Sequence, residues 1–139
     1  MKKAVIIYHS TTGITRMYAD EMEMYLKGKG LEVTSISVWQ YKDSIADGVD
    51  YLLLGCWTSG IMIALQHPEK VWKEFAAKFK TTSNPRTILF TTYKILTGSM
   101  FKNMRRHLAG KISEPFAELK SRSGKLSTGD KEILDKFVG

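Results

Sequence analysis

The sequence predicts a doubly wound α/β fold, a five-stranded parallel sheet with helices on both faces, and three observations carry that expectation. Continuous apolar runs occur at AVIIY (4–8), YLLLGC (51–56) and within RTILFTTY (86–93). Such runs suit strands covered on both sides. Segments with helical apolar stripes lie between them, and strands that alternate with helices of about ten to fifteen residues favour a parallel sheet. Three loops rich in Ser, Thr, Gly or aromatic residues follow strand carboxyl ends, where open α/β sheets bind ligands.

The elements follow in order. AVIIY is the first strand, and the short apolar run behind two lysines is read as a strand rather than a secretion signal. TRMYADEMEMYLKGKG places Tyr18, Met22, Tyr25 and Leu26 on one stripe. Asp20, Glu21 and Glu23 are expected near its front, and Gly28 and Gly30 at its end. LEVTSISV (31–38) alternates as an edge strand, and WQYKDSIADGVD is short and weakly helical. YLLLGC is a central strand, WTSGIMIALQH a loop, and PEKVWKEFAAKFK a helix with Pro68 in its first turn. Val71, Trp72, Phe75 and Phe79 form its buried stripe. RTILFTTY is the next central strand, and Ser99 is the expected cap of SMFKNMRRHLAG. A last strand lies within ISEPFAEL, and Thr128 or Asp130 starts a final helix through Ile133, Leu134 and Phe137. No repeat or long linker interrupts this order, so residues 1–139 are expected to form one domain.

Composition narrows the functions. The chain of 139 residues is 43% hydrophobic and 25% charged, ordinary for a soluble globular protein, and no apolar run approaches the length of a bilayer span. Its single cysteine, Cys56, excludes an internal disulfide and a multi-cysteine metal site, which points to a reducing, cytoplasmic compartment. His9, His67 and His107 show no metal-ligand spacing, and no nucleophile elbow is present. The net charge of +7 is uneven: residues 70–125 hold thirteen Lys/Arg against three Asp/Glu, whereas residues 1–69 hold six against eight. Such asymmetry attracts anions or acidic proteins. The basic residues are not interleaved with aromatics in one module, so nucleic acid is not expected.

The first loop, HSTTGIT, is the most specific signal. A helix starting at Ile14 or Thr15 offers unpaired N–H groups and the positive end of its dipole. Ser10, Thr11, Thr12 and Thr15 add hydroxyls, and Gly13 clears the approach to the main chain. A phosphate monoester needs such donors and no lysine. The loop lacks the GK[ST] ending of a nucleoside-triphosphate cradle and is not a GxGxxG turn. A structural cap is the competing reading of the same residues. In the second loop, Trp57 beside Gly55 and Gly60 suits a planar ligand; packing on a neighbouring helix is its alternative.

Ser10–Thr11–Thr12–Gly13–Ile14–Thr15 resembles the FMN phosphate loop of flavodoxins, and length and element order are similar to that family over nearly the whole chain. The resemblance implies strand order 2-1-3-4-5 and FMN as cofactor, held at its phosphate by Ser10, Thr11, Thr12, Gly13, Ile14 and Thr15. It also implies ring contacts from Cys56, Trp57 and Thr58, with Gly60 as the peptide that reorients when flavin N5 gains hydrogen. Tyr93 would be a second ring contact, and Thr92 or nearby backbone groups would meet the pyrimidine edge or ribityl hydroxyls. The third loop, Thr91–Ser99, lacks the family's usual aspartate, and Lys94 pointing inward would favour an anionic reduced ring. Met62 belongs to the apolar ring-facing loop, as a rim, ring cover or dimer contact. Buried cysteine is usually a small hydrophobe, so Cys56 is not expected to be a nucleophile.

The implied function is an FMN-dependent electron carrier between redox partner proteins, with no catalytic residue. The partners would be acidic ones that meet the basic 70–125 region, with no membrane involved. The alternatives are a small NAD(P)H- or quinone-dependent flavin oxidoreductase, and a flavodoxin-like interaction module without cofactor.

Overall fold

The computed structural model describes residues 1–61 and 64–139, the side chains of 59–61 and 64–67 excepted. Strands β1 (Lys3–His9), β2 (Glu32–Ser37), β3 (Tyr51–Ile61), β5 (Arg86–Thr92) and β6 (Ala117–Ser121) form a parallel sheet in the order β2-β1-β3-β5-β6. Numbered without β4 (Ala64–Pro68), which pairs antiparallel with β3, this is the expected order 2-1-3-4-5.

Alternation along the central strands divides the core in two. Ala4, Ile6 and Tyr8 of β1, with Leu53, Ile88 and Phe90, pack against α1 (Ile14–Gly28) and α4 (Thr128–Val138). Val5 and Ile7, with Leu52, Leu54 and Leu89, pack against α2 (Lys70–Lys78) and α3 (Met100–His107). Side chains of successive residues point to opposite faces, so a strand buried on both sides must be apolar throughout. After β1 the chain crosses to the α1 face, and after the β3–β4 pair it crosses to the α2 face. The two crossovers diverge at the carboxyl ends of β1 and β3, the switch point at which ligands bind in such sheets.

Four local expectations need correction. Residues 56–67 do not form one loop: β3 continues to Ile61 and pairs back with β4, with Thr58 opposite Pro68 and a register shift between Ser59 and Ile61. Pro68 therefore ends a strand, and α2 starts at Lys70 behind Glu69. The acidic residues of α1 are not at its front. Its first turn holds none, because Asp20 pairs with Arg16 and Glu23 with Lys27, and Glu21 accepts the Leu126 N–H at 3.1 Å. Ser99 stands at the start of α3 but its side chain does not cap that helix; its hydroxyl accepts from Asn103 Nδ2 at 3.4 Å.

Boundaries elsewhere shift slightly. The segment after β2 folds as two 3-10 turns, 38–40 and 43–46. The last strand begins beyond Pro115, which has no N–H for the ladder, and runs to Ser121. Ser127 opens α4 through a reciprocal capping box with Asp130. Among the described residues no helix is long and apolar enough to cross a membrane.

Candidate functional site

Strand register brings the three loops together. His9 lies beside Cys56, Cys56 beside Thr91, Trp57 beside Thr92, and Thr92 beside Ser121. Residues far apart in sequence thus form two adjacent rows at the carboxyl edge of the sheet.

The loop after β1 leaves its helix open. Gly13 adopts φ 92°, in the left-handed region, and a Cβ there would meet nothing within 4 Å. Its N–H donates to Ser10 Oγ at 3.0 Å, which tightens the turn and leaves the Ser10 proton free to donate outward. No side chain caps α1, so the N–H groups of its first turn face the loop. Thr11, Thr12 and Gly13 are exposed, while Ser10 and Ile14 are half-buried.

Thr15 differs from the expectation. It is buried, and its hydroxyl meets that of Thr92 at 2.5 Å beneath the loop rather than on its open face. Beside this pair, Thr91 Oγ1 donates to the Cys56 carbonyl at 2.6 Å and lies 2.7 Å from Thr58 Oγ1. With the Thr91 proton committed to the carbonyl, the Thr58 hydroxyl is the donor to Thr91. Successive residues face opposite sides, so this hydrogen-bonded floor has two halves: Thr15–Thr92 ties α1 to β5 on one face of the sheet, and Thr58–Thr91 ties β3 to β5 on the other.

Cys56 is also part of the floor. It is fully buried in the core on the α2–α3 face, and burial, reinforced by the nearby Glu69 carboxylate, pushes its thiol well above the ordinary value; a hydrogen bond from the Glu69 backbone opposes this in part. Held as a neutral thiol, it is unsuited to nucleophilic attack. A group raised on folding stabilises the native state below its unfolded value, and that contribution is lost as pH rises through the folded one. Native protein at pH 8 is expected to leave Cys56 unreacted with a thiol-specific disulfide reagent for hours, and to react within minutes in denaturing urea. Rapid native labelling would show that the site opens.

Trp57, at the last β3–β5 residue pair, and Tyr93, just beyond β5, are both half-buried. The Tyr93 N–H donates to the Ser121 carbonyl at 3.3 Å. Lys120 Nζ and Arg122 Cζ stand 6.0 and 5.7 Å from the centre of its ring. Gly60 lies in β3 at the shift in register, a place where the ladder hydrogen bonds are locally disrupted. Met62 lies outside the described residues. Lys94 is exposed. Among the described residues no cluster of His, Cys, Asp and Glu could hold a metal.

Several residues here carried no sequence signal that was used. Glu69, brought over by the β3–β4 hairpin, accepts a hydrogen bond from Thr11 Oγ1 and stands 3.5 Å from His9 Nε2. Trp39, 74% exposed, meets His9 edge-on with ring centres 6.4 Å apart. Lys120 and Arg122 were equally silent, although the same strand-end rule applied to β6 would have singled out Arg122.

The site can hold an elongated ligand with an anionic end. Open helix N–H groups, outward hydroxyls and an unobstructed glycine lie at one end, with two half-buried aromatics at the other. These features fit the terminal phosphate and planar ring of FMN, and Glu69 places a negative charge beside the anionic end.

A family model described as flavodoxin matches residues 6–136. The fold is similar to that of two-electron reduced flavodoxin from Megasphaera elsdenii, at 23% identity and TM-score 0.74, covering 94% of each chain. Oxidised flavodoxin 1 from Bacillus cereus is similar at 18% identity and TM-score 0.70, with 99% of this chain and 95% of that one covered. Rubredoxin oxygen:oxidoreductase from Desulfovibrio gigas shares the fold at 17% identity and TM-score 0.62, over 99% of this chain but 34% of that longer one. The match over nearly the full length agrees with the strand order and the open phosphate-loop geometry: the chain belongs to the flavodoxin family, whose members bind FMN on an electron-transfer fold.

Proposed function

We propose that this protein is an FMN-dependent electron carrier that exchanges electrons with partner proteins in the cytoplasm. The single observation that carries the proposal is the uncapped start of α1, with no acidic residue in its first turn and open space at Gly13, on the sheet edge that also holds Trp57 and Tyr93. In this reading the N–H groups of Ile14 and Thr15 and the hydroxyls of Ser10, Thr12 and, once released from Glu69, Thr11 hold the phosphate. Thr15 and Thr92 support the loop from beneath. Trp57 and Tyr93 flank the ring, while Thr58, Cys56 and Gly60 shape its floor and edge through the backbone. Bound FMN would supply one- and two-electron chemistry, and the chain's own part is to bind, orient and exclude water. No side chain is assigned a proton-transfer or nucleophilic role.

Purification in air followed by a visible spectrum and cofactor release tests this reading. An oxidised flavin spectrum with released FMN is expected; folded protein that neither retains nor takes up FMN would overturn it. Turnover of free NAD(P)H would favour the oxidoreductase alternative.

Glu69 gives a sharper prediction. Its carboxylate touches Thr11, so it repels a phosphate held in the same loop. Two charges a few ångströms apart near a surface interact by on the order of 1 kcal/mol or more. Glu69→Gln is expected to tighten FMN severalfold and leave riboflavin unchanged, measured by flavin fluorescence titration. Equal changes for both ligands would place Glu69 away from the phosphate.

A further inference from the structure

The loops that leave β5 and β6 carry one sign of charge. Residues 93–99 and 122–127 contain Lys94, Arg122 and Lys125 and no Asp or Glu. Lys120 adds a fourth cation beside Tyr93, and Arg122 Nη2 reaches the Ile95 carbonyl at 3.5 Å. Lys94, next in sequence, and Arg122, at the Ile95 carbonyl, flank an apolar tip, Ile95 and Leu96, 45% and 36% exposed, with Lys120 beside Tyr93 at its base. The carboxylates that border these loops are already engaged: Glu21 with the Leu126 N–H, Asp130 with Ser127 and Tyr18, and Glu118 with Arg105 at 2.7 Å. Charges within roughly 10 Å of one another act together at ordinary ionic strength.

We propose that this tip, Ile95 and Leu96 beside Lys94, Lys120 and Arg122, is the docking surface for an acidic redox protein. The proposal rests on the FMN reading, which puts the flavin ring against Tyr93 and makes this the surface closest to it. An apolar centre within a charged rim is the common design of transient interfaces: the rim steers encounter and the centre excludes water. Charge complementarity fixes the partner as acidic. A duplex nucleic acid would find no complement for Ile95 and Leu96, and electron transfer requires a partner with its own redox centre.

The test uses a reduced plant-type [2Fe–2S] ferredoxin, an acidic protein, as the probe. One electron leaves the iron–sulfur cluster and enters the FMN-loaded protein, followed by stopped-flow absorbance. The second-order rate is expected to fall at least tenfold between 10 and 300 mM salt, on the order seen for steered encounters. Lys94→Glu, which leaves the Arg122–Ile95 contact intact, is expected to slow the reaction about threefold at low salt, and the K94E/R122E pair about tenfold or more with loss of the salt dependence. Calorimetric titration of oxidised ferredoxin into flavin-free protein reads the surface independently. Salt-sensitive binding there without FMN uptake would overturn the cofactor reading alone. A salt-independent rate, unchanged variants, or tighter binding to a DNA duplex or to anionic phosphatidylserine vesicles than to ferredoxin would overturn the docking surface.

Discussion

Gly55→Ala is expected to destabilise the protein by about 1–3 kcal/mol or more, the range for overpacking a core. On a domain of this size that lowers the thermal midpoint by on the order of 5–10 °C. A Cβ at Gly55 would lie 2.3 to 2.5 Å from three atoms of the Phe90 ring, far inside van der Waals contact. Neither partner has room to yield. Gly55 is in the middle strand, paired to Tyr8 on one side and Phe90 on the other. Phe90 is fully buried and packs edge-on against Tyr18, with centres 5.9 Å apart. Thermal unfolding of Gly55→Ala in the wild-type and Phe90→Leu backgrounds checks the cause. The alanine should cost clearly less where the ring is absent, and an equal cost in both would mean that Phe90 is not what excludes it.

The second large effect is expected at Asp130. Its Oδ2 accepts from the Tyr18 hydroxyl at 2.8 Å and from the Ser127 N–H at 3.2 Å, and its own N–H donates to Ser127 Oγ at 3.0 Å. One carboxylate thus closes the capping box of α4 and satisfies a buried phenol on α1. Burial, followed by the Asp130 charge, raises the Tyr18 phenol well beyond the ordinary tyrosine range, so it is a donor at neutral pH. Asp130→Ala removes a cap worth about 1 kcal/mol and strands a buried hydroxyl at a cost of about 1–3 kcal/mol. A total of roughly 2–4 kcal/mol is expected by urea denaturation. In a Tyr18→Phe background only the cap contribution should remain, so a full-sized loss there would contradict this division.

Some of this was legible in the sequence. Three strands announced themselves because AVIIY, YLLLGC and ILF are apolar at every position, as burial on both faces requires. The open turn before α1 was legible because it depends on neighbours: Ser10, Gly13 and the start of α1 are within one turn of chain. The hairpin was not, since WTSGIMIALQH is apolar without alternation, and nothing local distinguishes a long apolar loop from a strand that returns on itself. Glu69 followed from that omission: only the returning β4 carries it to Thr11 and His9. The Thr15 hydroxyl's partner was hidden for a related reason. Its local sequence offers a hydroxyl to the loop, but Thr92, 77 residues away, lies beneath it and takes that hydroxyl. Lys120 and Arg122 became neighbours of Tyr93 through the parallel register that sets Thr92 against Ser121.

That the turn between β1 and α1 grips a phosphate through backbone amides and hydroxyls is tested most directly by comparing FMN with riboflavin, which lacks only that group. Each hydrogen bond to a charged group contributes about 1.5–3 kcal/mol, so two or three of them imply that FMN binds flavin-free protein at least about a hundredfold more tightly. Thr12→Ala should shrink that ratio by weakening FMN alone. Equal affinities for the two flavins, or a Thr12→Ala loss shared by both, would contradict the account.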